Sequence, residues 1–148
     1  MSRRPRSADD SAGYAWATAD LRSGHGAREA VAGVDVVVHC ATASRRRLEA
    51  EIARTLLEAA RRAGQPYLVY ISIVGVDRVP LGYYQGKLAA ERLVEESGLP
   101  YTILRATQFH DLLRAVFAGA ARLPAVPLPD LRFQPIDVST GCGWPIAF

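Results

Sequence analysis

Residues Tyr67–Glu95 read YLVYISIVGVDRVPLGYYQGKLAAERLVE, and this stretch decides the fold. The run Tyr67–Val74 is apolar and rich in β-branched residues, the composition of a strand buried in a parallel sheet. Gly75, Pro80 and Gly82 then break the chain into a loop. From Tyr83 the pattern switches to an alanine- and glutamate-rich helix. It runs to about Ser97 and stops at Gly98, with Pro100 just beyond. Ser72 stands near the C-terminal end of the strand. Tyr83 and Lys87 are four residues apart, which puts them on one helical face. A lysine ammonium beside a phenol favours the phenolate. A hydroxyl, a phenol and an ammonium around one pocket can polarise a carbonyl and move a proton. Tyr84, three residues before Lys87, is a rival phenol.

Upstream, Val34–Cys40 is a second buried-strand pattern, with Asp35 near its start and Cys40 read as a reduced core residue. Between the two strands, Ser44 is the expected N-cap of a helix carrying Leu48, Ile52, Leu56 and Leu57 at helical spacing, with Gly64 as its stop. Further upstream, Tyr14–Thr18 reads as a short strand, and Ala27–Ala32 as a short helix ended by Gly33. Downstream come a strand at Tyr101–Leu104, a helix at Phe109–Gly119 and a short extended piece at Leu131–Val138. Strands alternating with helices predict an α/β fold, a parallel sheet joined by right-handed crossovers with helices on both faces. The strands starting at Val34, Tyr67 and Tyr101 should lie adjacent in that order.

A chain of 148 residues that is 49% hydrophobic and 22% charged suits one globular domain. The formal net charge of +3 comes from scattered arginines, so no nucleic-acid face is expected. Arg45-Arg46-Arg47 opens a helix where positive charge opposes the dipole, and reads as a solvated face. No apolar stretch reaches the roughly 18 residues of a membrane span. The basic start lacks the apolar core of a signal peptide. Cys40 and Cys142 fit neither a metal spacing nor a disulfide framework, and His25, His39 and His110 show no ligand spacing. A cytoplasmic protein without metal, membrane or nucleic-acid partner is the expectation.

The Ser, Tyr-x-x-x-Lys set resembles the short-chain dehydrogenase/reductase superfamily. The phrases VDVVVHCATAS (34–44), YISIVGVDR (70–78), YYQGKLAAERLVEESGLPYTILRATQFHDLL (83–113) and FQPIDV (133–138) resemble its atypical, NmrA-like NAD(P)H-binding branch. The resemblance spans Ser2 to about Val138. It implies a Rossmann-like sheet of order 3-2-1-4-5-6, NADP(H) as cofactor, and reduction or isomerisation of a small carbonyl compound. It implies catalytic roles for Ser72, Tyr83 and Lys87. It implies cofactor contacts from Arg3 and Arg4 at a 2′-phosphate, which favours NADP over NAD, from Asp20 and Leu21 at the adenine, and from Ala41, Thr42, Lys87 and Gln108. A non-enzymatic NADP sensor that regulates a partner protein, and a remnant without activity, are the alternatives. No G-x-G-x-x-G turn occurs in the sequence. The resemblance places Met1–Arg4 at the end of the family's second strand, so the chain reads as an N-terminally incomplete Rossmann-like domain, Met1–Val138, with an irregular tail, Ser139–Phe148. Weak or absent dinucleotide binding and self-association through the apolar strand edge from Val34 are expected of such a chain.

Overall fold

The computed structural model describes Met1, Arg3, Arg4, residues 13–43 and 45–107, and His110, Arg114 and 117–119. It divides into two compact units, Met1–Leu104 and Arg105–Phe148. In the second unit the described residues of the expected Phe109–Gly119 helix are helical. Gln108, the Leu131–Val138 piece and the boundary at Val138 lie outside the described residues. The candidate site lies in the first unit.

Three strands, β1 (Val36–His39), β2 (Tyr67–Ile73) and β3 (Tyr101–Ala106), form a parallel sheet in the order β1-β2-β3. Val36 stands opposite Tyr67, and the pairing continues in step to His39 opposite Tyr70. The Tyr67 N–H donates to the Asp35 carbonyl at 2.8 Å, and the Leu68 N–H donates to the Pro100 carbonyl at 2.8 Å. Bonded on both sides, β2 is the central strand, which explains why it is the most continuously apolar run: Leu68, Val69 and Tyr70 are all buried.

The helices are α1 (Ala27–Val31), α2 (Arg46–Arg62) and α3 (Gly82–Glu95). Two right-handed crossovers that step in the same direction across a sheet deliver their helices to the same face. Accordingly α2 and α3 pack on each other and share one core with Val37, Leu68 and Tyr70. The buried stripe of α2 contains Ile52, Ala53, Leu56, Leu57 and Ala60, at three- and four-residue spacing. Each fully buried leucine in this core contributes roughly 1.5–3 kcal/mol. On β1 exposure alternates, and Val36 and Val38 remain 43% and 54% exposed on the opposite face. Among the described residues β1 also stands at the end of the strand order, as the edge strand expected from Val34 onward.

Three expectations are corrected. Tyr14–Thr18 is not a strand: Thr18 and Asp20 make isolated bridges, Asp20 with His25, and the Trp16 indole donates to the Arg4 carbonyl at 3.1 Å. A strand is made by its ladder partner, and propensity alone does not supply one. Cys40 is exposed, because β1 ends at His39 and Cys40 begins the connection to α2. The N-cap position of α2 is Arg45, without a side-chain cap bond, and Ser44 lies outside the described residues.

Two glycines have steric reasons. Gly26 has φ +68°, and an added Cβ would stand 2.5 Å from the Thr18 carbonyl oxygen, so no side chain fits there. Gly86, within α3, lets the helix approach α2 closely: a Cβ would stand 3.1 Å from both Arg46 Cα and Glu49 Cβ. Alanine at 86 gains helix propensity but pushes on the backbone of α2. Gly86→Ala should lower the unfolding free energy by about 1–3 kcal/mol, as overpacking does. Urea denaturation measures this, and a stabilised variant would show that the two helices can separate freely.

Candidate functional site

Five of the residues expected to hold a cofactor converge. Arg3, Asp20, Leu21, Ala41 and Thr42 line one cavity of about 520 Å³, together with Arg22, Ala43, Leu48 and Ile52. The volume lies within the range of small-ligand pockets. The sheet explains the convergence: the chain leaves β1 at its C-terminal end and runs through Ala41–Ala43 toward α2, at the edge where open α/β sheets take ligands. Asp20 opens a tight turn there. Its Oδ1 accepts the Arg22 N–H at 2.9 Å, and its N–H donates to the His25 carbonyl at 2.9 Å. The turn carries Leu21 and Arg22 to the cavity. Arg4 gives its carbonyl to Trp16 and is not one of the lining residues.

The three expected catalytic residues behave differently. Lys87 is buried, and its ammonium faces inward. Nζ lies 2.9 Å from Glu49 Oε1, donates to the Ile71 carbonyl at 3.1 Å, and sits 4.9 Å from the centroid of the Tyr70 ring. These contacts account for the three donors of an ammonium. Tyr83, four residues earlier, is half-buried, and its ring meets that of Tyr84 edge-on at 5.9 Å. The residue whose phenol stands at the Lys87–Glu49 pair is Tyr70, whose hydroxyl donates to Glu49 Oε1 at 3.1 Å. Burial, followed by the Glu49 charge and this hydrogen bond, raises the Tyr70 phenol far above its ordinary range, so it remains a proton donor. Ser72 is buried at the end of β2, and its hydroxyl has no partner among the described residues.

Glu49 joins the two halves. Its Oε2 accepts the Thr42 hydroxyl at 3.1 Å and the Ala43 N–H, while Oε1 takes Lys87 and Tyr70. The carboxylate thus lies between the buried pair and the cavity wall. His39, on β1, is buried against the Tyr70 ring at 5.4 Å between centroids. Burial first, then the Lys87 charge, lowers its pKa from 6.5 to about 4, although Glu49 opposes the shift.

Glu49, Tyr70 and Arg22 were not singled out from the sequence. The signal for Glu49 is its place on the apolar stripe of α2, three and four residues before Ile52 and Ala53. An acid in register with a buried face needs a cation, and Lys87 is in register with Ala90 and Val94 on α3.

Comparison with known proteins gives a consistent picture. A family model described as NAD(P)H-binding matches residues 1–116. Quinone oxidoreductase 2 of Escherichia coli (strain K12) is 31% identical over 77 residues, 46% of this chain and 27% of that protein. The crystal structure of the E. coli NADPH-dependent quinone oxidoreductase complexed with NADPH superposes with a TM-score of 0.57 at 25% identity, over 71% of this chain and 37% of that one. A nucleoside-diphosphate-sugar epimerase from Staphylococcus aureus superposes with a TM-score of 0.62 at 21% identity, over 72% and 39% of the respective chains. The Citrobacter triphenylmethane reductase complexed with NADP(H) gives 0.60 at 20% identity, over 72% and 38%. The chain therefore spans between 27% and 39% of the length of these relatives.

Removing one partner of a buried ion pair leaves the other charge uncompensated. Lys87→Ala should lower the unfolding free energy by about 3–5 kcal/mol, whereas Tyr83→Phe should cost under about 1 kcal/mol. Equal, small effects in a denaturant titration would put Lys87 outside the core. A second expectation concerns acid. His39 is depressed in the fold, so the stability linked to its neutral form is complete above pH 6.5 and is lost as pH falls toward about 4. Relative to His39→Gln, the wild type should lose up to about 3 kcal/mol across that window, at roughly 1.4 kcal/mol per unit. Parallel stability curves for the two chains would refute the burial of a neutral imidazole.

Proposed function

The chain belongs to the NAD(P)H-binding family, and we propose that it binds NADP(H) with the adenosine end in the cavity between Arg3, Asp20, Leu21 and Thr42. The observation that carries this reading is the convergence of those residues, distant in sequence, on one cavity. Their chemistry fits the ligand. Leu21, Leu48 and Ile52 offer an apolar surface to a purine, and the Arg3 and Arg22 guanidiniums suit a 2′-phosphate. When bound, the nicotinamide supplies hydride, and the protein supplies orientation and electrostatics. The quinone oxidoreductase relative supports an oxidoreductase, and a small carbonyl compound is the proposed substrate. Ser72 is then a candidate partner for the substrate oxygen, with its hydroxyl unpaired at the end of β2. Tyr83 and Gln108 complete the proposed set. The cytoplasm is the proposed compartment, and β1, an edge strand among the described residues with Val36 and Val38 exposed, supports self-association.

A second reading, a cofactor sensor without redox activity, is favoured by the contacts of Lys87. Lys87 is engaged by Glu49 and the Ile71 carbonyl, which leaves Tyr83 without the adjacent ammonium that would activate it as an acid. The two readings share the cavity and differ in turnover.

Calorimetric titration tests the shared part. NADPH should bind at least tenfold tighter than NADH, about 1.4 kcal/mol, and Arg3→Ala should remove most of that preference. Binding of neither nucleotide, or equal affinities in the wild type, would overturn the proposal.

A further inference from the structure

We infer that Glu49 is the positioning residue of this cavity: it fixes the hydrogen-bond polarity of the Thr42–Ala43 wall, which then accepts hydrogen bonds from the nucleoside and turns phosphate toward Arg3 and Arg22. The inference takes its ligand from the NADP(H) reading but rests on a separate set of contacts. An ionised carboxylate offers about four acceptor positions. Those of Glu49 receive Tyr70, Lys87, Thr42 and Ala43.

The consequence lies in the protons. A threonine hydroxyl has one hydrogen, and that of Thr42 goes to Glu49 Oε2. Only its lone pairs remain for a ligand. The Ala43 N–H goes to the same oxygen, so it too is withdrawn from the cavity. In an α/β nucleotide site, free backbone N–H groups are what cradle phosphate. Here the wall at 42–43 has given up two donors, the Thr42 hydroxyl proton and the Ala43 N–H. It suits ligand O–H or N–H groups, such as a ribose hydroxyl or the adenine amino group, and disfavours phosphate oxygens. Arg3 and Arg22, in the same cavity, are donors only. The cavity thus has an acceptor wall and a donor wall, which sets the direction in which a phosphorylated nucleoside can enter. Lys87 acts one step behind, by holding the Glu49 carboxylate in place through their ion pair, and so affects the ligand without touching it.

The test uses the full chain with Glu49→Leu, Lys87→Met and Tyr70→Phe combined, which replaces the buried polar set with apolar side chains of similar volume. Hydrogen exchange on the free protein should show the Ala43 amide exchanging at least tenfold faster, while amides in the middle of α2 and α3 keep their protection. NADPH affinity should fall at least tenfold at a melting temperature within a few degrees of the wild type, a separation that a purely structural role would not produce. Unchanged Ala43 exchange, or faster exchange with unchanged NADPH affinity, overturns the inference. Should the combined variant fail to fold, Glu49→Leu with Lys87→Met gives the same readouts, because it leaves neither an unpaired buried charge nor a side-chain acceptor for the Ala43 N–H. A wild type that did not bind NADPH would overturn the cofactor reading, and the exchange result would still decide the role of Glu49.

Discussion

The ion pair between Glu49 and Lys87, buried between α2 and α3, is the constraint on which the rest of the structure depends. Taking two charges out of water costs several kcal/mol per ion, and their attraction offsets this only when the remaining donors and acceptors are also satisfied. That condition is met here. The Lys87 ammonium has a carboxylate, a carbonyl and a ring face, and the carboxylate has a phenol, a hydroxyl and a backbone amide besides the ammonium. Together these groups come from four stretches of chain: β2, α3, α2 and the connection after β1. The pair therefore fixes the mutual placement of four segments, and an apolar contact between two leucines could not do that with the same directional precision.

The close approach at Gly86 belongs to the same arrangement. α3 can bring Lys87 to Glu49 because the residue before it has no side chain to hold the helices apart. The opening of α2 fits as well. Its N-cap side chain makes no bond, and Glu49 in the first turn reaches back to Ala43 and Thr42 instead. An acid at that place also complements the positive end of the helix dipole, which Arg45, Arg46 and Arg47 oppose. Helix start, helix packing and cavity wall are thus organised by one carboxylate. His39 stays neutral beside this group because burial and the Lys87 charge both disfavour a second cation there.

The tyrosine–lysine spacing shows how a motif can persist while its geometry serves another purpose. Four residues apart on a helix does put two side chains on one face, but it does not decide how deep each one lies. Lys87 points into the core and Tyr83 stays half-buried beside Tyr84. The phenol at the lysine is Tyr70, from the strand, and its raised pKa makes it a fixed donor to Glu49 and unsuited to act as a base.

Much of the fold was legible in the sequence, because periodicity reports burial directly. The apolar run at Tyr67 reads as a buried strand, the stripe through Ile52 and Leu56 as the buried face of a helix, and helical crossovers between successive strands give the order β1-β2-β3. The cavity residues Arg3, Asp20, Leu21, Ala41 and Thr42 were also reachable, through the family resemblance that assigns each of them to the cofactor, and they line one cavity. Tertiary structure alone decided the rest. Tyr14–Thr18 has strand propensity, but a ladder requires a partner that local sequence does not name. Cys40 has the composition of a core residue and lies one position past the end of β1. The pairing of Glu49 with Lys87 spans 38 residues, and although each charge lies in register with a buried face, nothing local names the other as its partner. Whether a charge is buried depends on which helices meet and how closely, and that is settled only when the chain has folded.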